Sequence, residues 1–299
     1  MVEKRTDLAL EVQEMRGRES GIEISTAKRN GIEITVATVR GEAGRKSSGK
    51  PEGKYITLDI GSDWQNDKAL FAKTALALSE EIKSLLPKGE GDVLVAGLGN
   101  ESITPDSLGP SVVKRLIVTR HIEDIDPELF SGAGFGRVSA IAAGVLAQTG
   151  IESAEIVKSI ALSVKPECVI LIDALASRRL ARLATTVQLS SNGISPGSGV
   201  SNKRVAIDKE LLGVPVVSIG VPTVVDAATL ALDIIEEHGG GEEEYRAIAE
   251  KILSGARDGL FVTPKDTDII IKNLSQLISS SLNMALHGMT FEESAEFVL

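Results

Sequence analysis

An α/β fold, with a mostly parallel sheet and helices on both faces, is what this sequence predicts, and three observations carry it. Continuous aliphatic runs at Val93–Leu98, Cys168–Ile172 and Val214–Gly220 read as strands buried on both sides, the mark of a parallel sheet. Helical stretches stand between such runs, as crossover connections in a parallel sheet require. Apolar residues make up 42% of the chain but aromatic ones only 3%, so the core must be built from Ala, Val, Ile and Leu.

Taken in order, Ile22-Glu23-Ile24 and Ile32–Val36 alternate apolar with polar residues, the pattern of strands with one wet face. Arg40–Gly53 is rich in Gly, Lys and Ser and is expected to be a loop, after which Tyr55–Ile60 resumes a strand. Residues 66–86 form an amphipathic helix whose apolar side includes Leu70, Leu76, Leu78 and Ile82, and Pro87-Lys88-Gly89 ends it. The strand at 92–98 leads through Asp106 to a helix over Gly109–Thr119. Ile156–Leu162 reads as helix and feeds the strand that ends at Asp173; Ser177–Ala184 then reads as helix and Thr185–Leu189 as strand. Val214–Gly220 precedes a helix over Asp226–Glu237, and Gly239–Gly241 with Glu242–Glu244 makes a linker. Ala247–Leu253 and Asp268–Leu286 read as helices against the same core. No internal repeat or domain boundary stands out.

Composition narrows the function. The net charge of −10 argues against a nucleic-acid partner. The N-terminus has no signal-peptide segment and no run approaches membrane-spanning length, so an intracellular protein without a membrane partner is expected. The single cysteine, Cys168, lies in an apolar strand and reads as a buried structural thiol. Three scattered histidines and one cysteine offer no metal-ligand spacing, and no cofactor or metal is expected.

Two strand-end carboxylates are the leading site candidates. Asp173 closes Val169-Ile170-Leu171-Ile172, where an unpaired charge would cost several kcal/mol, on the order of a buried ion. Asp106 follows Gly97-Leu98-Gly99-Asn100 in the loop Ile103-Thr104-Pro105-Asp106, where a turn or helix cap is the plainer reading. Carboxyl ends of parallel strands border the functional crevice, so the two carboxylates can meet and divide acid and base roles. Asp226, after Val224-Val225, reads first as a helix cap; His121 is a candidate third polar member of the cleft. The glycine loops 97–100 and 197–199 lack a Walker or full dinucleotide-binding context. They would let an extended peptide approach, with Asn100, Ser198, Ser201, Asn202, Lys203 and Arg204 as rim contacts. A phosphate- or nucleoside-handling α/β enzyme and a noncatalytic binding protein remain alternatives.

Several of these stretches, together with Gly144–Glu152, Pro196–Val200 and Gly220–Asp226, resemble the germination (spore) protease family from about Arg5 to His287. The resemblance implies an endopeptidase in the spore core that degrades small acid-soluble DNA-binding spore proteins as germination begins. It also implies a fold like that of hydrogenase-maturation proteases and phosphorylases, and a homotetramer. Asp106 and Asp173 match the family's proposed catalytic pair, an atypical aspartic mechanism. Such proteases are zymogens that cut themselves at a site resembling their substrates' Thr-Glu-(Phe/Ile)-Ala-(Ser)-Glu motif. Thr6-Asp7-Leu8-Ala9-Leu10-Glu11 fits that pattern, implying cleavage between Asp7 and Leu8, a propeptide over 1–7 and one α/β protease domain over 8–299. The acid before the cut calls for a basic subsite, for which Lys203 and Arg204 are candidates. Lacking an apolar anchor, this terminal segment is expected to be loose.

Overall fold

The computed structural model of the chain describes residues 6–9, 11, 21–89, 91–197, 204–227, 229–231 and 260–297. The linker at 239–244, the helix expected over 247–253 and most of the helix expected after Asp226 lie outside them. The described strands form one nine-stranded sheet: β1 Ile22–Arg29, β2 Ile32–Val39, β3 Gly53–Asp59, β4 Val93–Leu98, β5 Val138–Gly144, β6 Cys168–Ser177, β7 Thr186–Ser190, β8 Val216–Asp226 and β9 Phe261–Val262. Their order is β1-β2-β3-β7-β8-β6-β4-β5, with β9 on the far end of β8.

The α/β class holds, but the sheet is mixed rather than mostly parallel. β8, β6, β4 and β5 run parallel, while β1, β2, β3 and β7 join β8 antiparallel. Local chemistry explains the antiparallel flank. Asn30 and Gly31 both adopt positive φ (53° and 86°), the two-residue hairpin turn that returns β2 directly along β1.

Alternation along the strands sends side chains to two unlike faces. On one, Ile56, Leu58, Val95, Ile170, Ile172, Val187, Leu189 and Ile219 form a continuous core. The helices Lys68–Leu85, Leu108–Val113 and Thr267–His287 cover it through residues such as Leu78, Ile82, Val112, Leu274 and Ile278. Asp67 starts the first of these helices by accepting from the N–H groups of Ala69 and Leu70, at 2.8 and 3.1 Å. On the other face Leu94, Ala96, Val169, Leu171 and Val216 pack under the Ser153–Val164 helix through Ala154, Val157 and Ala161. That apolar cover stops halfway. Beyond it, Ser190 and Ser218 share a row with Leu171, and Asp173, Gly220 and Gln188 make the next row across β6, β8 and β7.

Tertiary partners decide where the sequence-based elements were misjudged. The helix expected over Gly109–Thr119 ends at Val113. The Ile117 N–H goes instead to Asn283 Oδ1 (3.1 Å) and the Thr119 N–H to the Val138 carbonyl (3.0 Å). Ser177–Ala184 holds only the short turn Leu180–Arg182, because the N–H groups of Arg178 and Arg179 are committed elsewhere. Within the expected loop, Gly41–Ser48 is helical, with the Ser47 and Ser48 hydroxyls folded back onto the carbonyls of Ala43 and Gly44. β5 has no counterpart in the sequence reading, since Val138–Gly144 is mostly small residues without an alternating pattern.

Candidate active site

Asp173 sits one residue beyond the β4–β6 ladder, whose last pair is Gly97 with Ile172. β6 runs on beside β8 alone, so the crevice opens at this point. The carboxyl is 6% exposed and its Oδ1 accepts the Ala174 N–H at 3.0 Å. Burial pushes its pKa well above the usual carboxylate range, and the nearby charges of Asp106 and Asp7 push it the same way.

Asp106 reaches this place through a glycine-tight junction. Gly99 has φ 108°, and a Cβ there would stand 2.0 Å from the Asp106 carbonyl oxygen. A Cβ on Gly109 would meet the carbonyl oxygens of Leu98 at 2.3 Å and Ile172 at 2.6 Å. Only bare backbone lets the loop lie directly on the ends of β4 and β6. Pro105 opens the short Thr104–Asp106 turn, and the Asn100 N–H donates to Asp106 Oδ2 at 2.7 Å. Burial raises the Asp106 pKa, whereas that N–H and the Arg204 guanidinium hold it down. Asp106 and Asp173 line one cavity of about 390 Å³ with Gly99, Leu175 and Arg204. A second, of about 210 Å³, lies over the polar rows and is lined by Lys50, Tyr55, Asp173, Gln188 and Ser190. Asp7 lines both.

Thr6–Ala9 and Glu11 are therefore not loose: they lie in the crevice. The Asp7 N–H donates to the Ala176 carbonyl at 2.9 Å, and the Ala176 N–H returns to Asp7 Oδ2 at 2.9 Å. Leu8 is fully buried, and the Ala9 N–H donates to Gln188 Oε1 at 2.7 Å. Glu11 Oε2 accepts the Arg178 N–H (2.7 Å) and its Oε1 the Arg179 N–H (3.0 Å), with the Arg182 guanidinium 3.5 Å away. Thr6 closes the turn by donating its hydroxyl to Glu11. The carbonyl of Asp7, which belongs to the peptide bond expected to be cut, accepts from Lys50 Nζ at 2.9 Å and from Gln188 Nε2 at 3.4 Å.

The remaining candidates divide. Asn100 acts through its backbone on Asp106, while its side-chain oxygen accepts from Gln148 (2.6 Å). Arg204 lines the Asp106 cavity but pairs with Glu152 (3.2 Å). The Asp7 carboxylate accepts the Ala176 N–H at 2.9 Å. Ser198, Ser201, Asn202 and Lys203 lie outside the described residues. Asp226 caps the turn that follows it, accepting from the Thr229 N–H and hydroxyl at 2.8 and 3.0 Å. His121 is exposed on the Arg120–Ile125 helix and lines neither cavity. Among the described residues no group of three His, Cys, Asp or Glu is placed to hold a metal ion, and no helix is long and apolar enough to cross a membrane. Buried Cys168 has its thiol pushed up to about 11 by desolvation. Sequence reasoning missed Lys50, Gln188 and the paired amides of Arg178 and Arg179. For Gln188 the sequence offers only the alternation of Thr186-Val187-Gln188-Leu189-Ser190, which marks a polar face without saying what meets it.

A family model described as germination protease matches residues 1–240. A germination protease of Caldanaerobacter subterraneus subsp. tengcongensis is 46% identical, over 97% of this chain and 96% of its own. One from Clostridium acetobutylicum is 39% identical over 94% of both chains, and one from Bacillus subtilis 35% identical over 97% and 95%. Among solved structures, a [NiFe] hydrogenase maturation protease from Thermococcus kodakarensis aligns with a TM-score of 0.37 and 16% identity, covering 68% of this chain and 99% of that one.

Proposed function

Since the chain belongs to the germination protease family and is thus an endopeptidase of spore germination, we propose that Asp106 and Asp173 are its catalytic pair and that Thr6–Glu11 is its own first substrate. The observation that carries this reading is the position of the Asp7–Leu8 peptide, held in the crevice that both carboxyls line. Asp106, with a backbone N–H and the Arg204 charge favouring its ionised form, takes a proton from the attacking water. Asp173, the more deeply buried of the two, holds the proton that the peptide group needs. As with any close pair, the titration belongs to both groups together.

The reading extends to substrates. The Asp7 carboxylate accepts the Ala176 N–H, and Glu11 the N–H groups of Arg178 and Arg179 beside the Arg182 guanidinium, and neutral or basic side chains would leave those donors unanswered. Proteins carrying acid–apolar–small–any–acid sequences, as small acid-soluble spore proteins do in the pattern above, would bind in the same way. Residues 1–7 are then the propeptide of a zymogen, with Asp7 seated in the crevice, and residues 8–299 the protease, assembled as a homotetramer in the spore core. Incubating the protein with such a spore protein, with mass spectrometry of the fragments and N-terminal sequencing of the enzyme, is the test. Fragments cut after the first acid, and an enzyme beginning at Leu8, are expected. An intact spore protein, or an enzyme still beginning before Asp7 while it cuts others, overturns the respective part.

A further inference from the structure

Catalysis of peptide hydrolysis needs an acceptor for the negative charge that grows on the carbonyl oxygen as water adds. Ionised Asp106 cannot provide it and the proton of Asp173 is kept for the leaving nitrogen, whereas the crevice contains a cation that fits. We propose that Lys50 is a third catalytic residue, its ammonium stabilising the oxyanion that forms on the Asp7 carbonyl.

The geometry is built from the chain outward. The Gly41–Ser48 helix ends at Gly49, whose φ of 66° is the left-handed cap that reverses the chain. The reversal delivers Lys50 into the cavity over the polar rows, where Nζ lies 2.9 Å from the Asp7 carbonyl oxygen. Gln188 approaches the same oxygen through Nε2 and holds the Ala9 N–H through Oε1, so one amide fixes both sides of the bond. Asp173 and Gln188 flank Gly220 in a single row, and the Leu175 side chain fills the space between them, with its Cδ1 2.5 Å from where a Cβ on Gly220 would stand. Lys50 is itself largely desolvated, which lowers its pKa, while the Asp7 carboxylate opposes that fall. A desolvated ammonium interacts more strongly with a forming charge than one in water.

The inference rests on the aspartate reading and completes its steps. Water oxygen bonds to the Asp7 carbonyl carbon as one water proton passes to Asp106. The carbonyl π pair moves onto oxygen, against Lys50 and Gln188. On collapse that pair re-forms the double bond, the C–N bond breaks, and the leaving Leu8 nitrogen takes the proton from Asp173. A proton from Asp106 to Asp173 restores the starting state.

Self-cleavage of the full chain tests this, because an intramolecular first-order rate leaves out substrate binding. Chains refolded from denaturant start the clock, and the appearance of the Leu8 terminus is followed. Lys50→Met should slow cleavage by about 10²–10³-fold, the usual cost of one oxyanion donor. In a Cys168→Ala background, Lys50→Cys alkylated before refolding with 2-bromoethylamine regains an ammonium of nearly the same reach and should recover at least about tenfold. Alkylation with bromoethane, which restores bulk without charge, should recover nothing. Equal recovery by both reagents, or a Lys50→Met rate equal to wild type, overturns the role of Lys50. If Lys50→Met does not refold, the two alkylated proteins decide the matter alone. A wild-type chain that never cleaves itself, or an Asp106→Asn chain that cleaves normally, would sink the underlying aspartate reading instead.

Discussion

The two faces of the sheet use the same strands for opposite ends. On β6, Ile170 and Ile172 enter the continuous core, while Asp173 between their neighbours points to the other side. On β7, Val187 and Leu189 are core, and Thr186, Gln188 and Ser190 face away from it. One face is filled along its length by three helices. The other is filled only halfway, and where its apolar cover ends the peptide-holding crevice begins. Stability and chemistry are thus separated by the two-residue period of a strand rather than by distance.

Substitutions on either side should break that separation in opposite ways. The largest effect is expected on the open face. Asp106→Asn and Asp173→Asn should each lower cleavage of a spore-protein peptide by about 10³-fold or more, with the double variant little worse than either single one. Both should stay folded by circular dichroism, and Asp173→Asn should melt higher than wild type near neutral pH. Folded Asp173 keeps its proton to higher pH than the unfolded carboxyl of about 3.9. The folded state therefore binds more protons in that interval, and stability falls as pH rises from about 4 towards the raised native value. Asparagine removes that slope, and melting curves across the interval will show it or not. Next in size, Ile170→Ala on the core face should cost about 2–5 kcal/mol in denaturant unfolding while leaving the rate per folded molecule near wild type. A large loss of rate in the folded fraction would mean the faces are not separate. The smallest effect is expected at the rim. Arg204→Met removes a charge that favours ionised Asp106, so the acid limb of the pH–rate profile should move up, and only slightly, since Arg204 is shared with Glu152. A shift downward would place Asp106 in the wrong role.

What the sequence made legible follows from the same division. Asp173 stood out because a carboxyl after four buried aliphatic residues has to be explained, and Asp106 because it follows the neighbouring strand. Asp7 and Leu8 were singled out only through the resemblance of Thr6–Glu11 to the family's cleavage motif. The core-face strands and the long helices at Lys68–Leu85 and Thr267–His287 were visible from periodicity. Gln188 was hidden because an alternating strand looks the same whether its polar side meets water or a bound peptide. Lys50 was hidden more deeply. It lies in a run of Gly, Lys and Ser with no apolar rhythm, and its role depends on a cap, a turn and a partner at position 7. The amides of Arg178 and Arg179 cannot be read from side chains at all, since what they offer Glu11 is backbone.

The crevice-bound N-terminus also has a consequence for biosynthesis. Asp7 bonds to Ala176, 169 positions later, and Ala9 to Gln188, 179 positions later. A ribosome adding roughly 5–20 residues per second needs about 8–35 s to synthesise that interval. Thr6–Ala9 is made long before β6 and β7, which supply most of the groups that hold it. A nascent chain can thus carry that stretch past the synthesis of β1 to β5 before the crevice that holds it can form.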